Sequence, residues 1–345
     1  MNDVSSTRSP AAAGVAVVTG GSAGLGRAIV RELAALGYDV AVLARNSDGL
    51  RGAAREVELA GRRGLAVPVD VADAQAVDGA ADRVERELGP VDVWVNNAMT
   101  SVFATFLDVE PAEFERATRV TYLGSVNGTR AALRRMVPRD RGHVVQIGSS
   151  LAFRGIPLQS AYCGAKHAMV GFTESVQAEL DHTGSAVQMS MVHMPALNTP
   201  QFGWVRSRLP KHPQPVPPIF QPEVGARAVA YVVRHPRRRT AVTWRTSAIA
   251  IGNMLVPRVF DRIVADSGFQ GQQTDQHLPV YGDNLDEPVP QDIGAHGSFG
   301  QKARPRSPGT WANLRIGRML GAVAGLAGSA VTTATGRTRE LLGPR

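Results

Sequence analysis

Tyr162 and Lys166 stand four residues apart, and Ser149 lies thirteen residues before the tyrosine. On a helix, residues i and i+4 share one face. A free phenol has a pKa of about 10 and is a poor acid or base at neutral pH, but a nearby ammonium group favours the phenolate. A serine hydroxyl beside the pair can hold a substrate oxygen by hydrogen bond. Together these are the parts needed to move a proton on and off an alcohol or carbonyl. A Tyr-x-x-x-Lys pair alone is commonly an ordinary helix surface, so its meaning depends on the elements that position it.

Those elements are an alternation of strands and helices. Short β-branched runs at 15–19, 39–44, 65–69, 92–96, 143–149, 186–193 and 240–245 are predicted strands. Amphipathic stretches at 25–36, 74–88, 113–136 and 161–181 lie between them. This spacing implies an α/β fold with a parallel sheet covered by helices on both faces. Residues 200–222 interrupt it with seven prolines and the aromatics Phe202, Trp204 and Phe220, a composition that suits a lid over a site.

Composition bounds the rest. The 345 residues, 43% hydrophobic and 20% charged, suffice for one large α/β domain or two smaller ones. The single cysteine, Cys163, excludes an internal disulfide, fits a reducing compartment and reads as a small core residue. Net charge is +8, but only three basic residues are lysines, and the arginines are scattered with no aromatic-interleaved stripe, so nucleic acid is not an expected partner.

Residues 1–13 read as a disordered tail rather than a signal peptide, which makes the cytoplasm the expected location. Residues 14–266 form the expected nucleotide-binding domain. Residues 267–309 are polar and rich in Gly, Pro, Gln and Asp, the composition of an extended or disordered linker. Residues 310–335 are Gly/Ala-rich, with Gly317, Gly321, Gly325 and Ser329 in a small-residue stripe, and 336–345 form a tail. The stretch 310–335 is expected to be a loosely ordered helix lying on the protein. The small-residue stripe makes membrane association or dimerisation through it the other reading, against which Arg315 and Arg318 shorten the uncharged run.

The segment Thr19-Gly20-Gly21-Ser22-Ala23-Gly24-Leu25-Gly26 follows the first strand and opens the first helix. Glycines there let the backbone turn tightly and approach a pyrophosphate at a helix N-terminus. Gly20, Ser22, Gly24, Leu25 and Gly26 are the candidate contacts. Strand two ends Ala44-Arg45-Asn46, without the acid that would hold the ribose hydroxyls of NAD. Arg45 can instead pair with a 2′-phosphate, so NADP(H) is expected over NAD(H).

These motifs, in this order, resemble the short-chain dehydrogenase/reductase family over about residues 14–245. The match consists of the glycine loop at 19–26, Asp70-Val71, Asn96-Asn97-Ala98, Ser149 and Tyr162-x-x-x-Lys166. The resemblance implies a Rossmann-like, doubly wound, seven-stranded parallel sheet in three α/β/α layers, here with a C-terminal extension. It implies that Asp70 and Val71 lie beside the adenine and Asn97 by the adenosine ribose. It also implies that Lys166 holds the nicotinamide ribose and depresses the Tyr162 pKa, and that Thr199 touches the cofactor. Ser149, Tyr162 and Lys166 become the expected catalytic residues, with no metal. The sequence departs from the family at Met99, which replaces a glycine, at Met194-Pro195, and at Thr121, which stands where the family has a relay asparagine; Asn127, six residues on, falls on a different helix face.

The expected activity is reversible reduction of a ketone or aldehyde, with Tyr162 as acid/base and Ser149 rather than Ser150 on the carbonyl oxygen. The alternative is a non-catalytic NADP(H)-binding regulatory protein on the same fold. Met99, Phe103, Leu151, Phe153, Phe202 and Trp204 are candidate pocket walls, with Arg154 and Gln159 as polar contacts, which suits an apolar carbonyl or alcohol. The resemblance alone implies a homo-oligomer built through the helices at 113–136 and 161–181.

Overall fold

Seven β-branched runs pair into one sheet. They are β1 (Gly14–Thr19), β2 (Tyr38–Ala44), β3 (Gly64–Pro68), β4 (Val91–Asn96), β5 (His143–Ser149), β6 (Gln188–Met194) and β7 (Arg239–Ala241). The order across the sheet is β7-β6-β5-β4-β1-β2-β3, and every pairing is parallel. The structure, a computed structural model, describes residues 13–277, 283–307 and 310. The helices are α1 (Gly24–Ala35), α2 (Ser47–Leu59), α3 (Ala74–Glu87), α4 (Pro111–Thr118), α5 (Gly124–Met136), α6 (Ser160–His182), α7 (Pro222–Arg234), α8 (Trp244–Leu255) and α9 (Pro257–Gly268).

A strand buried on both faces sends alternate side chains to opposite layers. Along β1, Ala16 and Val18 join the core under α1, α2 and α7, with Ile29, Leu50 and Val229. Val15 and Val17 join the opposite core under α3, α5 and α6, with Val84, Met136 and Leu180. The result is the expected three-layer, doubly wound α/β fold. Its winding reverses between β1 and β4, which opens a crevice at the carboxyl ends of those strands. The glycine loop follows β1, Asn97 follows β4, and Ser149 ends β5, so the topology brings all three to that crevice.

Three expectations change. The helix expected over 113–136 is interrupted by a π turn at Arg119–Leu123 between α4 and α5. The strand expected over 240–245 stops at Ala241, because Thr243 caps α8 by accepting the Thr246 amide on its hydroxyl. The linker expected over 267–309 is only partly a linker. Residues 267 and 268 complete α9, 273–277 pair with Lys211–Pro213, and 283–307 fold against the domain with Leu285, Ala295 and Phe299 buried. The low apolar content hides this, because few side chains anchor the segment and arginines from the domain hold its backbone.

The proline-rich stretch 200–222 is packed. Phe202, Leu209 and Ile219 form a small core with Phe103, Leu158 and Phe299. The expected tail at 1–13, apart from Ala13, lies outside the described residues. So do the helix expected at 310–335, apart from Thr310, and the tail at 336–345.

Candidate active site

The glycine loop is folded back on itself. Gly20 and Gly24 have φ of 63° and 58°, backbone that a side chain would strain. A Cβ on Gly26 would lie 2.1 Å from the Gly20 carbonyl oxygen. Asn97 Nδ2 donates to the Thr19 and Gly20 carbonyls at 3.1 Å each, and Thr19 Oγ1 accepts from the Asn97 and Ala98 amides. Asn97 thus braces the loop besides bordering the cavity. A cradle free of side chains at the start of α1 suits a phosphate, since helix N-terminal N–H groups point at it. These residues fit a dinucleotide.

Asp70 accepts the Ala72 amide and pairs with Arg116 at 2.6 Å. Burial opposes its ionisation, but these donors outweigh it and its pKa is lowered. Val71 packs so close to Gly124 that a Cβ there would lie 2.6 Å from Val71 Cγ2. Arg45 reaches across the same end of the crevice. Its guanidinium donates to the backbone carbonyls of Asn284, Leu285 and Asp286. Gly20, Ser22, Gly24, Leu25 and Gly26 all line one cavity of about 570 Å³, together with Arg45, Asp70, Val71, Asn97 and Thr199 at the same end.

Ser149, Tyr162 and Lys166 line the other part of that cavity. β5 delivers Ser149 and the first turn of α6 delivers Tyr162. The Ser149 hydroxyl lies close enough to the Tyr162 phenol to favour its ionised form, an effect smaller than that of burial. Ser149 Oγ also accepts the Leu151 amide at 3.1 Å, which fills one lone pair and leaves its proton free to donate. Lys166 Nζ donates to the Ile147 carbonyl at 2.7 Å and lies 5.6 Å from the Tyr162 ring centroid.

The expected depression of the phenol pKa by Lys166 is not what this arrangement produces. Burial pushes Tyr162 up to about 12 and Lys166 down to about 7, because desolvation disfavours each charged form. His193 sits behind Ser149, its Nδ1 3.2 Å from the Ser149 carbonyl oxygen, and burial lowers its pKa to about 4.

Thr121 is fully buried in the π turn. Its hydroxyl donates to the Thr100 carbonyl at 2.8 Å and accepts the Thr100 amide at 3.1 Å. It therefore latches the segment after β4 that carries Met99. Thr121→Val keeps the shape and removes both bonds. It is expected to lower stability by about 1–3 kcal/mol, read as a lower urea midpoint at unchanged slope.

Of the expected substrate contacts, Met99, Phe103, Leu151 and Phe202 line the cavity, as do Trp204, Arg154 and Gln159. Phe153 does not: its ring lies against His193 at 4.3 Å between centroids. Ser150, expected to face away, also lines the cavity. The strand ends at Ser149 and a 3-10 turn begins at Ser150, so strand alternation no longer applies.

The sequence reading missed one wall altogether. Asn284, Pro288, Val289 and Gln291 line the cavity as a strap. Asn46 Nδ2 donates to the Gln291 carbonyl, and Gly24 N donates to the Gly294 carbonyl at 3.0 Å. Buried Arg27 pairs with Asp292 at 3.1 Å, and Arg206 pairs with Asp283 at 2.8 Å and Asp286 at 3.0 Å. The signal available was the aspartates of 283–292 set against a domain rich in arginine. Among the described residues, no group of His, Cys, Asp and Glu is arranged to hold a metal.

Comparison with known proteins agrees with this architecture. A sequence profile described as short chain dehydrogenase matches residues 14–209. The uncharacterized oxidoreductase YxnA of Bacillus subtilis is 32% identical over 264 residues, 76% of this chain and 74% of that one. The 3-ketodihydrosphingosine reductase of Bos taurus is 35% identical over 191 residues, 54% of this chain and 57% of its own length.

Among solved structures, a short-chain dehydrogenase from Streptomyces avermitilis superposes with a TM-score of 0.62 at 26% identity, covering 75% of this chain and 98% of that one. An alcohol dehydrogenase from Thermococcus sibiricus complexed with 5-hydroxy-NADP gives 0.58 at 28% identity, covering 66% and 94%. With the sheet order, the braced glycine loop and the Ser-Tyr-Lys cluster already established, the profile match over most of the domain leads to one conclusion: the chain belongs to the short-chain dehydrogenase/reductase family of oxidoreductases.

Proposed function

We propose that the protein is an NADP(H)-dependent oxidoreductase that interconverts an apolar ketone or aldehyde with its alcohol. The observation that carries the reading is that Ser149, Tyr162 and Lys166 line the same cavity as the glycine cradle and Arg45. The nicotinamide, when bound, supplies or accepts the hydride at the carbonyl carbon. The chain's own residues act on the oxygen. Ser149 donates a hydrogen bond to it, and Tyr162 gives it the phenolic proton as negative charge develops. Lys166 holds the nicotinamide ribose in this reading. In alcohol oxidation the same groups act in reverse. Gly20, Ser22, Gly24, Leu25, Gly26, Asp70, Val71, Asn97 and Thr199 bind and orient the cofactor.

Arg45 supports NADP(H) over NAD(H). Arg45 lines the cavity, and carbonyls of the strap take three of its five N–H donors, which leaves two for a phosphate. The Thermococcus sibiricus alcohol dehydrogenase is described as complexed with 5-hydroxy-NADP, which agrees. Arg45→Asp is expected to lower kcat/KM for NADPH by about 10–100-fold and to leave NADH less affected. Turnover of the unaltered protein that favours NADH would overturn the assignment.

A screen of apolar carbonyl compounds, read by nicotinamide absorbance after cofactor binding is measured, tests the activity itself. Binding without turnover of any of them would favour the non-catalytic alternative. An oligomer through α5 and α6 is part of the reading and is tested by light scattering.

A further inference from the structure

α8 and α9 present large apolar side chains at the surface. Some of their polar groups contact the domain: Arg154, on the turn after Ser149, donates to Asn253 Oδ1 at 3.1 Å and pairs with Asp261, and Asn253 Nδ2 donates to the Phe153 carbonyl. Their apolar groups turn outward. Trp244 is 59% exposed, Met254 74% and Leu255 67%, with Ile251, Val259 and Ile263 each more than half exposed. On α8, Trp244, Ile251 and Leu255 fall at helical spacing on one face. So large an apolar patch on one side of a domain marks an interaction surface.

Two further observations say what covers it. Ile249 on α8, and Ile263, Val264 and Gly268 on α9, also line the cavity, so the mouth of the substrate end opens on this patch. The helices carry Arg245, Arg258 and Arg262 against Asp261 and Asp266, and Arg154 already engages Asp261. All three arginines are exposed and the chain as a whole is +8.

We infer that the outward face of α8–α9 docks the protein on an anionic lipid surface, so that an apolar substrate passes from the bilayer into the cavity between Ile249 and Ile263. The ring and aliphatic side chains enter the acyl boundary while the arginines meet lipid phosphates. A second copy of the chain fits less well, because a two-fold pairing of this face brings the same arginines together. Among the described residues no helix is long and apolar enough to cross a membrane; the contact described here is peripheral. The lipid-like substrate class rests on the carbonyl/alcohol reading of the site, whereas the docking does not.

The full chain is sedimented with phosphatidylcholine vesicles, with and without phosphatidylglycerol. It should pellet with the anionic vesicles and mostly stay in solution with the neutral ones. Ile251→Ser/Met254→Ser/Leu255→Ser and, separately, Arg258→Glu/Arg262→Glu should each weaken binding at least about tenfold. A measurement on the unaltered chain guards against misfolded variants: lipids carrying a fluorescence quencher in the acyl chain should quench tryptophan emission, and Trp244→Phe should remove most of that quenching. Tyr162→Phe should bind vesicles normally while losing turnover, which separates failure of the docking from failure of the proposed activity. Binding equal in both variants, no binding of the unaltered chain, or a dimer that the triple serine variant turns into monomer would each overturn the inference.

Discussion

Tyr162→Phe is expected to lower carbonyl reduction by about 10²–10⁴-fold, the usual contribution of a positioned acid, with NADPH affinity and melting temperature nearly unchanged. The ring stays, so the packing of α6 against the turn after β5 is kept. Only the hydroxyl beside Ser149 is lost. Measured as kcat and KM, the loss should fall mainly on kcat, because proton donation matters only as charge develops on the oxygen. Near-normal rates in the variant would mean that another group donates the proton.

Lys166→Met should make the protein more stable and less active. An ordinary lysine titrates at 10.5, but burial lowers Lys166 to about 7. Between those values the unfolded chain keeps the proton and the folded chain releases it. Stability therefore rises with pH across that window, and the buried ammonium costs most at and below about pH 7. Methionine removes this cost, although the Ile147 carbonyl loses its Lys166 donor. The net gain expected at pH 7 is about 1–3 kcal/mol. It should appear as a higher melting temperature whose advantage fades as pH approaches about 10. Equal stability at about pH 6 would refute a strained lysine. A stabilising loss of function at this position would identify Lys166 as retained for chemistry.

Much of this was legible in the residues. β1 alternates between two cores because Val15–Val18 are apolar on both faces, and the Gly20, Gly24 and Gly26 spacing declares a turn that side chains would block. The π turn at Thr121 was not legible. Helical periodicity runs through 113–136, and only contact with Thr100 shows why the helix bulges there. The strap was hidden for a related reason. Its Gly, Pro and Asp composition matches a linker, and the groups that hold it, Arg27, Arg45 and Arg206, lie more than 70 residues away in the chain.

By itself the sequence determined the order of strands and helices, the glycine cradle and the Ser149–Tyr162–Lys166 set, because these depend on local periodicity and fixed spacing. The tertiary structure decided the ionisation of that set, since desolvation is a property of everything packed around a group. Burial moves Tyr162 to about 12 and Lys166 to about 7, where the spacing alone suggested a lowered phenol. It also decided what encloses the cavity. The strap over Arg45 and the α8–α9 face beside the mouth are long-range contacts that no local pattern encodes.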